Sequence, residues 1–497
     1  MPYDTIVIGA GAAGLAAGLR LALAGKKILL LERQPLAGGL ATGFSRRGFI
    51  FESSLHCVDG LGPQGEVRQF LDECGLGSAI EYIELKDFSR QVYPEHDFVV
   101  DFNIERFAEL MKKNFPAQAK GVRALFRALD RFWREFDAFS NTSMPSALQL
   151  LLSPFLYRSI IRSSCLTLEQ FISKYIKDEK AKSIFAGIWG YLGLPPSALS
   201  SLYYLIVLRG FYAQPTSYVK GGYPGIFKAM LEKMKSAQAE VKFNSSVVKI
   251  AEAKSHLRVL TDRGEEFTAR SVISDANAID TLINFPDSEK IKSFYAKRLA
   301  VMEKSISGFQ VYLGLNTPAA KLGMNHAIIT LYENYNHDQN YRYCLEGDYA
   351  RGIISLVDHA QIDPSLAPAG KGQLLIFVLD AYKNWRDLPP DEYRRKKVEA
   401  AQRLIQRAQR VLPGLAESIE FMEVATPRTI ERFGASPEGA LYGFSQRLNQ
   451  AGLNRLSQKT AIRGLYLAGA WTYPGGGVHG CFVSGREAAE AVLKFLG

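Results

Sequence analysis

Glycine residues near the start of the chain have the spacing of a dinucleotide cradle. Residues 4–8 are apolar enough for a short buried strand, and Gly9, Gly11 and Gly14 follow directly. Gly9 permits a tight turn, Gly11 lets the backbone approach a pyrophosphate, and Gly14 lets a helix lie close to the strand. The N-terminus of that helix supplies free N–H groups and a positive dipole end for phosphates. We therefore predict a βαβ unit that binds a dinucleotide.

An acidic residue and a second glycine pair follow the next apolar run. Glu32 comes directly after residues 28–31, where its carboxylate can accept hydrogen bonds from ribose hydroxyls. Gly38 and Gly39 permit a second close backbone approach to the same ligand, which a fold that binds NAD alone does not need. The sequence therefore predicts FAD. The predicted contacts here are Gly9, Gly11, Ala13, Gly14, Glu32, Arg33, Gly38, Gly39 and Leu40.

The C-terminal part of the chain has a second strand–loop–helix pattern that suits a cofactor. Residues 464–470 are predicted to form a strand, which leads into the glycine-rich segment 471–480 and then into a helix. Backbone without side chains, followed by a helix N-terminus, suits a flavin because the dipole can stabilise the negative charge of the reduced ring. We expect Gly469, Ala470, Gly477 and Val478 to contact the cofactor.

With both ends considered, the chain resembles the FAD-dependent polyene oxidoreductases, which include phytoene desaturase, carotenoid isomerase and retinol saturase. The resemblance covers most of the length. Beyond the terminal motifs it rests on residues 48–56, 114–116 with Gly121, 220–224, 247–250, 274–276, 425–427 and 441–443. It implies an α/β fold with a Rossmann-type FAD-binding domain, as in glutathione reductase and amine oxidases, and a mixed α+β substrate domain. It also implies a cofactor contact at Val247.

The chain departs from the family pattern at two places. The family usually has Phe-Asp-x-Gly where this chain has Phe51-Glu52-Ser53-Ser54. Many relatives carry an acidic residue where Ala470 or Trp471 stands, so the backbone is expected to supply that contact to the cofactor.

The family motifs divide the chain between two predicted domains. We expect residues 1–75, 215–285 and 425–497 to form the FAD-binding domain, because motifs expected to touch the cofactor lie in all three. Residues 76–214 and 286–424 are expected to form the substrate domain. Apolar spacing predicts helices in 101–139 and 166–208, and strands in 241–243, 247–250, 257–260, 308–314 and 372–378.

Two histidines are candidate acid–base groups. His56 follows the second family motif and matches a histidine of the saturase branch, and His479 lies in the predicted flavin-facing loop. Either could exchange a proton with a polyene carbon near neutral pH. The alternative for each is a histidine that only hydrogen-bonds backbone. Tyr203, Tyr204, Phe211 and Tyr212 could line an apolar tunnel, although such aromatic residues more often fill a core.

Composition and charge exclude several classes of function. The 497 residues have a net charge of +10, but the Lys and Arg residues are scattered and no nucleic-acid-binding module is present. Five cysteines without a Cys-x-x-Cys pair argue for reduced thiols and against a zinc site. Metal-ligand spacing and a Ser-His-Asp signature are both missing. The start of the sequence shows no leader, which predicts a cytoplasmic protein.

Two apolar stretches bear on substrate access. Residues 183–208 are uncharged but interrupted by Pro195-Pro196, so we predict core and a wall of the substrate cavity rather than a spanning helix. Residues 145–165 mix leucines with Arg158 and Arg162, a pattern typical of an interfacial helix on a membrane surface. A buried helix fits the same pattern.

We predict an FAD-dependent oxidoreductase that desaturates, saturates or isomerises carbon–carbon bonds of a long apolar polyene. No second glycine fingerprint follows a strand, so electrons must come from or go to a diffusing donor or acceptor, or return to the same substrate. The alternatives are an unsaturated fatty-acid isomerase or saturase, a flavin amine oxidase with an aromatic cage, and a non-catalytic prenyl-binding protein. The intact glycine motifs argue against the last of these.

Overall fold

The computed structural model of the chain describes residues 2–140, 142, 152–212 and 215–497. Its strands there are β1 (Tyr3–Ile8), β2 (Ile28–Leu31), β3 (Gly43–Arg46), β4 (Phe49–Glu52), β5 (Tyr82–Glu84), β6 (Ser89–Val92), β7 (Asp97–Val100), β8 (Ser217–Val219), β9 (Glu240–Lys242), β10 (Val247–Ala253), β11 (His256–Thr261), β12 (Glu266–Ser274), β13 (Ser307–Leu315), β14 (Ile328–Leu331), β15 (Ile354–Val357), β16 (Gly372–Asp380), β17 (Ile419–Ala425) and β18 (Leu465–Leu467). Its α-helices are α1 (Ala12–Leu23), α2 (Glu66–Glu73), α3 (Ile104–Asn114), α4 (Ala119–Ser140), α5 (Arg158–Ser164), α6 (Leu168–Ile172), α7 (Glu179–Phe185), α8 (Ser201–Tyr212), α9 (Pro224–Ser236), α10 (Glu289–Ala300), α11 (His337–Glu346), α12 (Pro390–Ala408), α13 (Pro427–Gly434) and α14 (Val478–Leu496).

The predicted βαβ unit forms the centre of one sheet. β1 pairs in parallel with β2 on one side and with β12 on the other, while β9 and β18 extend the parallel part. β10 and β11 add an antiparallel hairpin beside β12. β2 is entirely apolar and the last four residues of β1 are buried, because both faces of a parallel sheet are covered. Parallel pairing brings the carboxyl ends of β1, β2 and β12 to one edge.

Small residues let helices pack tightly over this sheet. α1 is rich in alanine and glycine and is buried over most of its length. A Cβ atom at Gly485 of α14 would overlap the carbonyl oxygen of Ala13, and one at Gly18 would lie 2.6 Å from the Met234 side chain of α9. The close packing of α1, α9 and α14 fixes the helix N-terminus that faces the edge of the sheet.

Another sheet has the strand order β17-β13-β16-β15-β14-β6-β7. The strands predicted in 308–314 and 372–378 are its two nine-residue strands, β13 and β16, which run antiparallel in full register. All nine residues of each are buried, so their near-continuous apolar composition follows from coverage on both faces. The strands of the two sheets fall in the segments expected for the FAD-binding and substrate domains, a division that stays a prediction.

The segments 101–139 and 166–208 are mostly helical, as the apolar spacing predicts. Residues 183–208 belong to its core, where Trp189 and Tyr204 are fully buried. The expectation that this stretch also forms a wall of the main cavity is wrong, since none of its residues line that cavity. Its aromatic side chains pack against other aromatic rings instead. Tyr191, for example, contacts Phe88 and Phe211, which also contact each other.

The segment predicted to lie on a membrane is described only in part. Residues 145–151 lie outside the described residues, residues 152–156 are helical, and α5 follows. Phe155 is 69% exposed and Leu156 and Ile161 are also exposed, whereas Tyr157 is buried. Among the helices that the structure describes, none has both the length and the apolar composition needed to cross a membrane.

Candidate functional site

A cavity of about 790 Å³ lies at the carboxyl edge of the first sheet and extends to the second sheet. This size lies within the roughly 300–1,000 Å³ typical of cofactor and ligand sites. Its walls come from widely separated parts of the sequence: the first glycine loop, residues 31–46, 245–248, 275–285, β13, 423–443 and 470–478. The segments predicted to bind cofactor and the strands β13, β16 and β17 of the second sheet therefore meet around one space.

The glycine cradle adopts the backbone geometry that its sequence predicts. Gly9 has φ +95°, a conformation that favours glycine, and Gly11 is the N-cap of α1. The Gly38 N–H donates to the Ala10 carbonyl at 2.8 Å, so the second glycine loop lies directly on the first. A Cβ at Gly39 would touch the Cα of Gly11 at 3.4 Å. The two loops leave bare backbone along one wall, which fits a pyrophosphate.

Glu32 lies at the cavity wall at the end of β2. It is 6% exposed and accepts hydrogen bonds from the backbone N–H groups of Ala10 at 2.7 Å and Gln34 at 2.6 Å. Burial raises the pKa of Glu32, while these hydrogen bonds oppose that rise. A carboxylate has about four acceptor sites, so the group retains capacity for ribose hydroxyls.

Most predicted cofactor contacts line the cavity. The lining includes Gly9, Gly11, Glu32, Arg33, Gly38, Gly39, Leu40, Val247, Ala470, Gly477 and Val478. Ala13, Gly14 and Gly469 are not part of it. A Cβ at Gly14 would overlap the Gly9 carbonyl, and one at Gly469 would overlap the Asp275 carboxylate, so these two glycines serve close packing behind the wall.

Asp275 is a cavity residue that sequence reasoning did not single out. It follows β12 and lines the cavity, and its Oδ2 atom accepts from the Gly14 N–H at 2.9 Å. Burial raises the pKa of Asp275 to about 8. Two features of the sequence could have identified Asp275. Residues 274–276 match a family motif, and an acidic residue at the end of a parallel strand faces the ligand edge of the sheet.

His56 lies one side chain behind the cavity wall. It is 7% exposed, its Nδ1 atom is 3.2 Å from the Tyr191 hydroxyl, and its ring packs edge-on against Phe377 with centroids 5.0 Å apart. Phe377 lines the cavity, whereas His56 does not. Burial lowers the pKa of His56 to about 3, so the ring is neutral at physiological pH.

His479 lies in the first turn of α14 and is held by two carboxylates. Its Nδ1 atom is 2.8 Å from Asp59 Oδ2, and its Nε2 atom is 3.2 Å from Glu66 Oε2. Burial lowers the pKa of His479, but the two acids outweigh this effect and raise it to about 10. The imidazolium therefore ties the Gly477–Val478 corner to α2, and its ring is not among the cavity-lining groups.

The wall formed by the second sheet is largely apolar and carries a single amide, with Glu423 of β17 as its charged residue. Gln310 and Tyr312 share one face of β13, and the Tyr312 hydroxyl lies within hydrogen-bonding distance of the Ser53 carbonyl and Gln310 Oε1, so that its single proton is donated to one of these two acceptors at a time. The Nε2 group of Gln310 has no partner among the described residues. Gln310 is the one lining residue in the described part with such a buried, unpartnered polar atom. Phe44, Leu55, Phe377 and Leu441 complete this wall.

Comparison with known proteins points to one family. The family model described as flavin containing amine oxidoreductase matches residues 12–493. The chloroplastic prolycopene isomerase of Arabidopsis thaliana is 29% identical, covering 100% of this chain and 83% of the relative. The lycopene-forming phytoene desaturase of Pseudescherichia vulneris is 25% identical, covering 99% of both chains.

The all-trans-retinol 13,14-reductase of Danio rerio is 24% identical, covering 94% of this chain and 82% of the relative. Among solved structures, an oxidoreductase from Methanosarcina mazei matches with a TM-score of 0.64 at 18% identity, covering 98% of this chain and 99% of that chain. A putrescine oxidase bound to putrescine also has a TM-score of 0.64, at 17% identity with 99% of both chains covered. These structural matches show the fold.

Proposed function

Because the chain belongs to the flavin-containing amine oxidoreductase family, we propose that this FAD-dependent oxidoreductase acts on carbon–carbon bonds of a long apolar polyene. The reaction is a desaturation, a saturation or a cis–trans isomerisation. The full-length similarity to a prolycopene isomerase, a retinol reductase and a phytoene desaturase supports this substrate class. An unsaturated fatty acid is the nearest alternative substrate within the same chemistry.

The observation that most supports a polyene is the largely apolar wall that the second sheet and its neighbouring loops contribute to the cavity. Phe44, Leu55, Phe377 and Leu441 present apolar surface there, and Gln310 supplies the polar contact. Burial of apolar area drives the binding of a hydrocarbon chain and requires no charged partner. A conjugated chain can lie on such a wall while its reacting carbons face the cofactor.

The carboxylates that line the cavity argue against an amine substrate. We assign Glu32 and Asp275 to the proposed dinucleotide cradle, because they accept hydrogen bonds from the N–H groups of Ala10 and Gly14, respectively. Asp280 accepts hydrogen bonds from the side chains of Asn277 and Asn284, each at 2.6 Å. Glu423 lies 3.8 Å from Arg46 and both side chains are about half exposed. In the part of the chain that the structure describes, each cavity carboxylate thus already has a partner within the protein.

The chain's own residues bind, orient and desolvate the reactants. When bound, FAD accepts or donates a hydride. We propose that Gly11 and Gly39 support its pyrophosphate, that Glu32 accepts from its ribose, and that segment 470–478 borders its ring. Phe377 and Leu441 exclude water from the reacting carbons, which preserves the electrostatic effects of the site.

We propose His56 and His479 as positioning residues. Substitution of either residue is expected to slow turnover. His56 orients Phe377, and His479 ties the Gly477–Val478 corner to α2. Neither ring touches the cavity directly. A proton needed during saturation therefore reaches the substrate by another route, such as water.

We also propose that the enzyme takes its substrate from a membrane surface through residues 145–165. The exposed side chains of Phe155, Leu156 and Ile161 beside Arg158 and Arg162 have the amphipathic character of an interfacial segment. A diffusing electron donor or acceptor completes any net redox reaction.

A substrate screen tests the proposed function. The purified flavoprotein is reduced anaerobically and then mixed with polyenes, unsaturated fatty acids or amines, with absorbance and product analysis as readouts. A second series starts from oxidised protein. Conversion of a polyene supports the proposal. Reduction of the oxidised protein by amines, together with inert polyenes, would contradict it.

A further inference from the structure

Two arginine side chains are buried among the described residues, and they differ in their counter-charges. Arg407 is 7% exposed and pairs with Glu333 at 2.9 Å, as well as donating to the carbonyls of Tyr349 and Gly352. Arg455 is 3% exposed and has no carboxylate among its hydrogen-bond or ion-pair partners in the described part of the chain. Arg455 is therefore an uncompensated buried cation.

Backbone carbonyls hold Arg455 in place. It donates to the carbonyls of Ala470 at 2.5 Å, Thr472 at 2.8 Å and Phe444 at 3.0 Å. Its Nη1 group has no partner within the described residues. Desolvation lowers the pKa of Arg455 to about 10, so the guanidinium remains protonated at neutral pH. A buried charge without a counter-ion is costly, and neutral donors could have tied the same carbonyls together.

The Arg455 cation lies directly behind the wall of the cavity. Ala470 and Tyr442 line the cavity, and Arg455 contacts the carbonyl oxygens of both, the second at 3.5 Å. A Cβ added to Gly475 would lie 3.3 Å from Nε of Arg455. The charge thus lies against residues 470–475, the segment that leads into the N-terminus of α14. In a water-poor interior, electrostatic interactions are stronger than in solvent.

We propose that Arg455 stabilises the negative charge which the FAD ring gains when it accepts a hydride, and thereby raises the reduction potential of the bound cofactor. The inference rests on the proposed placement of the ring beside segment 470–478, and not on the identity of the substrate. Transfer of a hydride brings two electrons and one proton, so the ring gains one negative charge. The missing counter-ion of Arg455 is then supplied by the reduced cofactor.

Variants of the FAD-loaded protein test this role without any substrate. Arg455→Gln removes the charge, Arg455→Lys keeps it, and Tyr203→Phe removes a neutral hydrogen bond to the carbonyl of Gly476 in the same segment, 2.6 Å long in the parental protein. The readouts are FAD occupancy, the reduction potential, and the dissociation constant of sulfite, which forms an anionic adduct with oxidised flavins. We expect Arg455→Gln to weaken sulfite binding about tenfold or more and to lower the potential by about 30 mV for each tenfold change. The other two variants are expected to stay near the parental values.

Parental sulfite affinity and potential in Arg455→Gln would overturn the proposal, as would an equal loss in Tyr203→Phe, since Arg455 would then act only as a cross-link. The parental protein provides a test that does not depend on folding of a variant. Reduced at pH 6, it is expected to show the absorbance spectrum of the anionic reduced ring, and a neutral spectrum would overturn the proposal. A protein that oxidises amines but passes these tests would contradict the proposed function alone.

Discussion

A Cβ atom added to Gly11 would lie 2.5 Å from Oδ2 of Asp275. The same oxygen accepts the hydrogen bond from the Gly14 N–H, so the carboxylate cannot withdraw without leaving a buried donor unpaired. An unpaired buried donor costs about 1–3 kcal/mol. The glycine at position 11 therefore serves two purposes: it leaves room for the ligand on one side and for Asp275 on the other.

The first prediction follows from this contact. Gly11→Val combined with Glu32→Ala is expected to abolish FAD binding, because the valine displaces Asp275 and fills the cradle while the alanine removes the acceptor for the ribose. Flavin absorbance of the purified protein measures occupancy. Gly190→Ala is the control, since a Cβ there meets no atom within 4 Å. Unchanged occupancy in the double variant would show that the cofactor site is misplaced.

The local parts of this site could be predicted from the sequence, but the contacts between its distant segments could not. The cradle and Glu32 lie on one βαβ unit whose geometry follows from spacing, and β13 and β16 follow from their apolar runs. Asp275 reaches Gly14 across more than 250 residues, and His479 reaches Asp59 across 420. Such pairs depend on tertiary packing. The cavity wall expected in residues 183–208 failed for a related reason, since apolar spacing does not distinguish a core-facing aromatic side chain from one that faces a cavity.

The second prediction concerns His479 and pH. The folded-state pKa of about 10 is above the ordinary value of about 6.5. The stabilisation is therefore fully present below about pH 6.5 and is lost as pH rises through about 10. We expect His479→Gln to lower the free energy of unfolding by about 2 kcal/mol near pH 6, as for a charge-assisted hydrogen bond, and to speed FAD release. The difference from the parental protein should shrink above pH 10.

Unfolding at several pH values measures this effect. His326→Gln is a matched control, because His326 lies 3.0 Å from Asp87 with the same side-chain exposure of 22% as His479. It should leave FAD release unchanged. A His479→Gln variant with parental stability from pH 6 to 10 would show that the two carboxylates do not hold this ring.

The third prediction concerns membrane attachment. Phe155→Asp with Leu156→Asp is expected to weaken binding to anionic vesicles more than tenfold, because each buried large apolar side chain contributes about 1.5–3 kcal/mol. Co-sedimentation with vesicles measures the change, and circular dichroism checks the fold. Phe294→Asp is the control, since Phe294 is 66% exposed and lies on α10. Equal binding by the double variant and the parental protein would exclude this segment as the docking surface.

The fourth prediction concerns the amide on the apolar wall. Gln310→Leu is expected to leave the Tm unchanged or raised, because it removes an unpartnered buried donor, and to reduce turnover about tenfold through loss of one hydrogen bond to the cavity's occupant. Gln373→Leu is the matched control, since Gln373 is 2% exposed, has an unpartnered amide in the described structure, and does not line the cavity. It should preserve turnover. Parental turnover in Gln310→Leu would show that this amide makes no functional contact.

The fifth prediction separates two roles for His56. As a positioning residue behind Phe377, it should slow turnover about tenfold when changed to Ala, with FAD still bound. General acid–base catalysis typically contributes about 100-fold to 10,000-fold, and its loss would remove one limb of the pH–rate profile. Because its pKa is about 3, His56 is neutral from pH 5 to 8, so we expect the profile of His56→Ala to keep its shape there.

Single-turnover flavin kinetics measured across this pH range distinguish the roles of His56. Tyr191→Phe provides the control, because it removes the hydroxyl 3.2 Å from Nδ1 while leaving the histidine ring against Phe377. If packing against Phe377 is what matters, Tyr191→Phe should lose less activity than His56→Ala. A 100-fold loss with a missing pH limb would make His56 the acid or base despite its burial. Parental rates in both variants would exclude both roles and leave the proton to water or to another wall residue.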